Sequence, residues 1–126
     1  MRACPALISL LDEQRPIQHH WWLADAGFPQ RIAGLLAAPL RDSARAPSRF
    51  SELVQVFAPL PPLGADGACP ATAQAQYRYL IRQCPTGPEL CCWRRDADGR
   101  GWQRRCGPMP LERFVRRFSA PPRASS

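Results

Sequence analysis

The chain contains no lysine and no asparagine, although it has 126 residues and a formal net charge of +7. All 17 basic side chains are therefore arginine. A planar, always-charged guanidinium suits bidentate contact with carboxylate or phosphate better than an ammonium does. The joint loss of lysine and asparagine, however, reads first as the codon bias of a GC-rich genome, with a bacterial source expected, so the position of the arginines says more than their type.

Other absences narrow the function classes. No apolar run approaches the ~20 residues that a membrane-spanning helix needs, so no membrane association is expected. The opening stretch has one positive charge and a short apolar run, but Asp12-Glu13 follow at once with no small-residue cleavage pattern. That argues against export and for the cytoplasm. Gly-x-Ser-x-Gly, a phosphate-binding glycine loop followed by Lys, and paired catalytic carboxylates are all missing. Neither enzymatic activity nor a cofactor is expected. His19 and His20 are the sole histidines, and adjacent residues do not share a helix face, so a two-histidine metal site is not expected. One should pack beside Trp21 or Trp22 and the other meet water.

Six cysteines are present, with no Cys-x-x-Cys and no spacing that matches a standard zinc module. Free buried thiols are the first expectation in a cytosolic chain. A disulfide in an exported chain ranks second, with Cys91–Cys106 or Cys84–Cys91 as the pairs, and zinc ranks third.

What is present is 45% apolar residues, enough for one core, and 15 prolines, which favour short elements. The expected fold class is α+β. A helical N-terminal half (residues 1–58) packs on a small antiparallel sheet of two or three strands and a C-terminal amphipathic helix (76–118). Residues 59–75 form a Pro/Gly/Ala-rich linker, and 119–126 a flexible tail. Residues 1–118 then make a single small globular domain.

Four helices are read in the first half. Leu7, Leu10 and Leu11 recur at i, i+3, i+4 after Pro5. Ile17, His20, Trp21 and Ala24 share a second face that ends at Gly27. Pro29 opens a third helix with Ile32, Leu35 and Leu36 inward. Ser48 caps a fourth, with Phe50, Leu53, Val54 and Phe57 as its stripe. Trp22 to Leu36 has the outline of a helix-turn-helix. Its second segment is nearly all apolar beyond Gln30-Arg31, which suits a buried packing helix rather than a DNA-reading one.

In the second half, Tyr77, Tyr79 and Ile81 alternate as in a strand, although a helix remains an alternative for 76–82. Pro85-Thr86-Gly87-Pro88 is a turn. Asp96-x-Asp98-Gly99-x-Gly101 resembles the start of a calcium loop, but Arg100 and Gly107 stand where ligands are required. It is read as the turn of a β-hairpin with Asp98-Gly99 at its tip. Each cross-strand pair then sums to 197, setting Arg95 opposite Trp102, Trp93 opposite Arg104 and Cys91 opposite Cys106, all on one face. From Pro110, Leu111, Phe114, Val115 and Phe118 line one side of a last helix, with Arg113, Arg116 and Arg117 off that stripe.

The charge is uneven. Residues 1–60 carry six arginines against five acids, and residues 61–126 eleven against five, so nearly all the excess lies in the second half. The candidate binding surface, within residues 78–117, comprises Trp93, Arg94, Arg95, Arg100, Trp102, Arg104, Arg105, Arg113, Arg116 and Arg117. The two tryptophans read first as core residues with arginines snorkelling around them. In the other reading they are exposed rings that stack unpaired bases. An acidic protein partner is the first expectation for this surface and nucleic acid the second. A solubilising charge with no dedicated ligand accounts for the same asymmetry.

Overall fold

Residues 6–12, read from sequence as helix, run instead as a strand in the computed structural model, which describes residues 4–15, 17–37, 49–63 and 74–119. The elements are β1 (Ala6–Asp12), β2 (Ile17–Leu23), α1 (Pro29–Ala37), α2 (Phe50–Phe57), β3 (Tyr77–Cys84), β4 (Gly87–Arg95), β5 (Trp102–Pro110) and α3 (Leu111–Ser119). They build a five-stranded sheet in the order β2-β1-β3-β4-β5. The expected helical N-terminal half and separate small antiparallel sheet are thus overturned. The fold is α+β, but two strands and two helices come from the first half and three strands and a helix from the second.

The two helix readings failed for different reasons. β1 lies between β2 and β3, and its residues are buried almost without interruption. A strand of that kind reads as a continuous apolar run, which periodicity cannot tell from a buried helical turn. In β2 the inward residues are His19, Trp21 and Leu23. They pair with Leu10, Ile8 and Ala6 of β1. His20, counted on a helical face with Trp21, points the other way, since neighbouring side chains alternate along a strand.

β1 pairs antiparallel with β2 but parallel with β3, with Ala6 opposite Tyr77 and Asp12 opposite Gln83. The chain returns to the sheet through α1 and α2, as a parallel neighbour requires a crossover. β3 and β4 join at Pro85-Thr86, inside the turn expected there, with Cys84 opposite Gly87.

Among the described residues, α1, α2 and α3 contribute to one core on one face of the sheet. Ile32, Ala33 and Leu36 of α1, Leu53 and Phe57 of α2, and Leu111, Phe114 and Val115 of α3 meet Ala6, Ile8, Leu10, Tyr79, Ile81, Leu90 and Cys92. Fully burying such a Leu or Phe is worth roughly 1.5–3 kcal/mol, which stabilises helices of eight or nine residues that would be marginal alone. The stripes expected for α1, α2 and α3 face the core: Ile32, Leu36, Leu53, Phe57, Leu111, Phe114 and Val115 are buried, and Leu35, Phe50, Val54 and Phe118 partly so. Ser48 lies outside the described residues, and the residue at the start of α2 is Arg49, whose N–H donates to the Glu52 carboxylate at 3.0 Å. Trp22 sits in β2, so there is no helix-turn-helix across Trp22–Leu36. Part of the expected linker is structured: the Trp22 N–H donates to the Pro61 carbonyl and the Leu63 N–H to that of His20, along the outer edge of β2. Ser119 belongs to α3, and residues 120–126 lie outside the described residues.

The loop after β2 is tied across the sheet. Gly27 N–H donates to the Cys4 carbonyl at 2.7 Å, and the Gly27 carbonyl accepts from the buried Tyr79 hydroxyl at 2.6 Å. Burial, first, pushes the Tyr79 phenol well above its ordinary value, so it remains a donor. Among the described residues, no helix is long and apolar enough to cross a membrane.

Candidate functional site

The sheet face away from the helices carries a row of paired side chains that spans all five strands. Trp22 pairs with Leu7, Leu7 with Arg78, Arg78 with Trp93, and Trp93 with Arg104. Aromatic and cationic groups therefore alternate from β3 to β5. One pair along, Arg95 lies opposite Trp102. The Arg95 guanidinium sits 4.3 Å from the Trp102 ring centroid and that of Arg78 5.9 Å from it, within the reach of cation–π attraction. Arg78, Leu80, Trp93 and Trp102 enclose a shallow hollow of about 290 Å³, and a second of about 300 Å³ lies between Leu11, Gln18, Leu80 and Arg82.

The hairpin that supplies half of this face keeps the expected register at its tip but turns differently. Asp96 N–H donates to the Gly101 carbonyl and Gly99 N–H to that of Asp96, so Ala97 to Arg100 form a four-residue connection rather than a two-residue one. The Asp98 carboxylate accepts from the Arg100 N–H at 2.9 Å within this connection. Lengthening the turn by one residue on each side preserves the sum of 197, so Arg95 still meets Trp102 and Trp93 still meets Arg104. Two irregularities beyond Arg104 then shift the strands, so Cys92 pairs with Cys106 and Leu90 with Met109. The expected Cys91–Cys106 neighbours are corrected by one position, and Cys91 projects from the other face. The bulges end the parity on which that expectation rested.

The expected surface divides in two. Trp93, Arg95, Trp102 and Arg104 lie on the open face. Arg113, Arg116 and Arg117 project from the exposed side of α3, on the opposite side of the sheet. Arg116 is paired with Glu112 at 3.1 Å, and Arg117 lies over Phe118 at 5.2 Å. Arg94 lies on the helix side, over Tyr77 at 5.8 Å. Arg100 is exposed in the turn, and Arg105 occupies a bulge. Trp93 and Trp102 are each half-buried, a state between the core and the fully exposed readings.

Arg95 has a role in the fold as well. Its Nε donates to the Ala75 carbonyl at 2.7 Å and its Nη1 to that of Gly99 at 3.3 Å, tying the hairpin to the start of β3. Arg78, absent from the expected residue set, replaces it as the central cation. The alternation that put Tyr77, Tyr79 and Ile81 on one side of β3 also put Arg78 and Arg82 on the other. Arg82 is ion-paired with Glu13, whereas Arg78 and Arg104 have no carboxylate partner among the described residues.

The histidines separate across the sheet. His19 stacks on Trp21 at 5.7 Å on the helix side, while the His20 ring lies 2.7 Å from the Ser9 hydroxyl on the open side. Among the described residues, no group of three or more His, Cys, Asp or Glu side chains is gathered as for a metal ion. Cys4, Cys84, Cys91, Cys92 and Cys106 are free thiols. Burial pushes the thiols of Cys84 and Cys91 upward. Cys106 is held down to about 7, first by its hydrogen bond with Cys92 and then by the charges of Arg117 and Arg105.

No protein-family model, no curated protein and no solved structure matches the chain.

Proposed function

We propose that this is a non-enzymatic cytoplasmic accessory protein that binds an acidic protein partner on the open Arg/Trp face of its sheet. The observation that carries the reading is the row Trp22–Leu7–Arg78–Trp93–Arg104, in which Arg78 stands between Leu7 and Trp93 and Arg104 beside Trp93, neither with a carboxylate partner among the described residues. Aromatic and arginine side chains are the groups that dominate protein interfaces, and a guanidinium's N–H fork matches a carboxylate. Arg95 already lies over Trp102. A base stacking on that face of the ring would have to displace it.

A second reading, binding of single-stranded nucleic acid, is favoured by the hollow that Trp93, Trp102 and Arg78 line together, rings beside a cation. Calorimetric titration separates the two. A synthetic acidic peptide carrying apolar side chains should bind, and Arg78→Glu with Arg104→Glu should weaken it at least about tenfold, because like charges facing each other across an interface cost several kcal/mol. Binding of a single-stranded oligonucleotide but not of the peptide, with a steep salt dependence, would replace the first reading by the second.

A further inference from the structure

Cys92 and Cys106 face each other across β4 and β5. The pair stands between the two bulges of the hairpin, and a disulfide between them requires Cα atoms roughly 4.4–6.8 Å apart, the range of neighbouring strands. The two thiols are cross-strand neighbours but have unlike surroundings. Cys92 is fully buried among core side chains beside Tyr79. Its hydrogen bond to Cys106, and then burial, hold it in the protonated form. Cys106 is half-buried and receives the positive charge of Arg105 from the bulge and of Arg117 from α3. One sulfur is thus accessible and favoured as thiolate, and the other is shielded and poised to donate a proton. That asymmetry is what separates reactive from inert cysteines.

We propose that Cys106 and Cys92 form a site that reacts with small hydroperoxides, Cys106 as the attacking sulfur and Cys92 as the resolving one. In the first step the Cys106 thiolate attacks the terminal peroxide oxygen. An S–O bond forms, the O–O bond breaks, and the leaving hydroxide or alkoxide takes up a proton from water. The product is a sulfenic acid on Cys106. In the second step the Cys92 sulfur attacks the Cys106 sulfur. The S–O bond breaks, an S–S bond forms, and water leaves with the Cys92 proton. The two thiols together lose two electrons, and the peroxide gains them. Cys91, whose side chain leaves by the opposite face, takes no part. The proposal is independent of the binding face.

The test uses the intact chain and hydrogen peroxide at equimolar amounts. Unreduced peptide mapping should join Cys92 to Cys106, and Cys92→Ser should leave a sulfenic acid on Cys106 that dimedone captures. Because a serine at position 92 could disturb the core, Arg117→Ala on the exposed side of α3 serves as the second variant. It should slow peroxide consumption roughly threefold, the scale of one exposed charge, with the folded spectrum unchanged. A crosslink to Cys91 in place of Cys92, oxidation of Cys106 no faster than that of Cys84, or an Arg117→Ala rate equal to the parent's would overturn the proposal.

Discussion

Gly107 presses against the Leu90 carbonyl so closely that a methyl group on its Cα would overlap that oxygen and come within 2.8 Å of the Cys91 Cα. Its φ of +91° is also one that side chains rarely adopt. Gly107→Ala is therefore expected to cost roughly 3 kcal/mol or more, combining backbone strain with a clash that the bulge cannot relieve. Gly99→Ala is the control: φ is +76°, but the space around it is open, so a loss of about 1 kcal/mol is expected. Urea denaturation of both variants checks the difference. Equal losses would mean that the bulge adapts.

The Tyr79 hydroxyl bonds the Gly27 carbonyl across 52 positions of sequence. Tyr79→Phe keeps the ring contacts and removes the donor, leaving a buried carbonyl without its partner. A destabilisation of roughly 1–3 kcal/mol is expected. Hydrogen exchange should quicken at the Gly27 amide, which donates to Cys4 in the same tie.

Arg95 and Arg78 should respond differently to truncation. Arg95→Ala removes two hydrogen bonds to backbone carbonyls as well as the contact with Trp102, so a stability loss of about 1–2 kcal/mol is expected. Arg78→Ala and Arg104→Ala should shift stability by less than about 0.5 kcal/mol and act on binding. Thermal melts alongside peptide titrations separate the roles; a destabilised Arg104→Ala would contradict this division.

The cysteines should be distinguishable by pH. The thiolate is the species that alkylates. Cys106, with its pKa lowered to about 7, should gain reactivity as pH rises through that value and level off above it. Cys84 and Cys91, raised by burial, should gain reactivity only above the ordinary thiol range. Iodoacetamide labelling read residue by residue gives the midpoints. A common midpoint for all three would exclude the charge asymmetry around Cys106.

The parts legible in the sequence are those whose pattern is local. The apolar stripes of α1, α2 and α3 announce helices because one side of each meets solvent. The hairpin tip was readable because Arg95–Trp102 and Trp93–Arg104 depend only on the parity of one short turn. β1 was not legible: with Leu7 and Ser9 buried as well as Ile8 and Leu10, it shows no alternation to read. Arg78 has no local signature because its partners, Leu7 and Trp93, are brought to it by two separate strand registers. Cys92 displaced Cys91 because the bulges at Arg105 and Gly107 leave no local signature beyond one glycine.

The parallel pairing of β1 with β3 also governs when the molecule can be completed. The first strand of the chain finds its central neighbour only about 70 residues later. During synthesis the β1–β2 hairpin must therefore wait, with one long edge unpaired, until β3 has left the ribosome. Pairings of such sequence separation slow folding and leave sticky intermediates. A nascent chain arrested before Tyr77 should thus be held by chaperones, and release should follow once Cys84 has emerged.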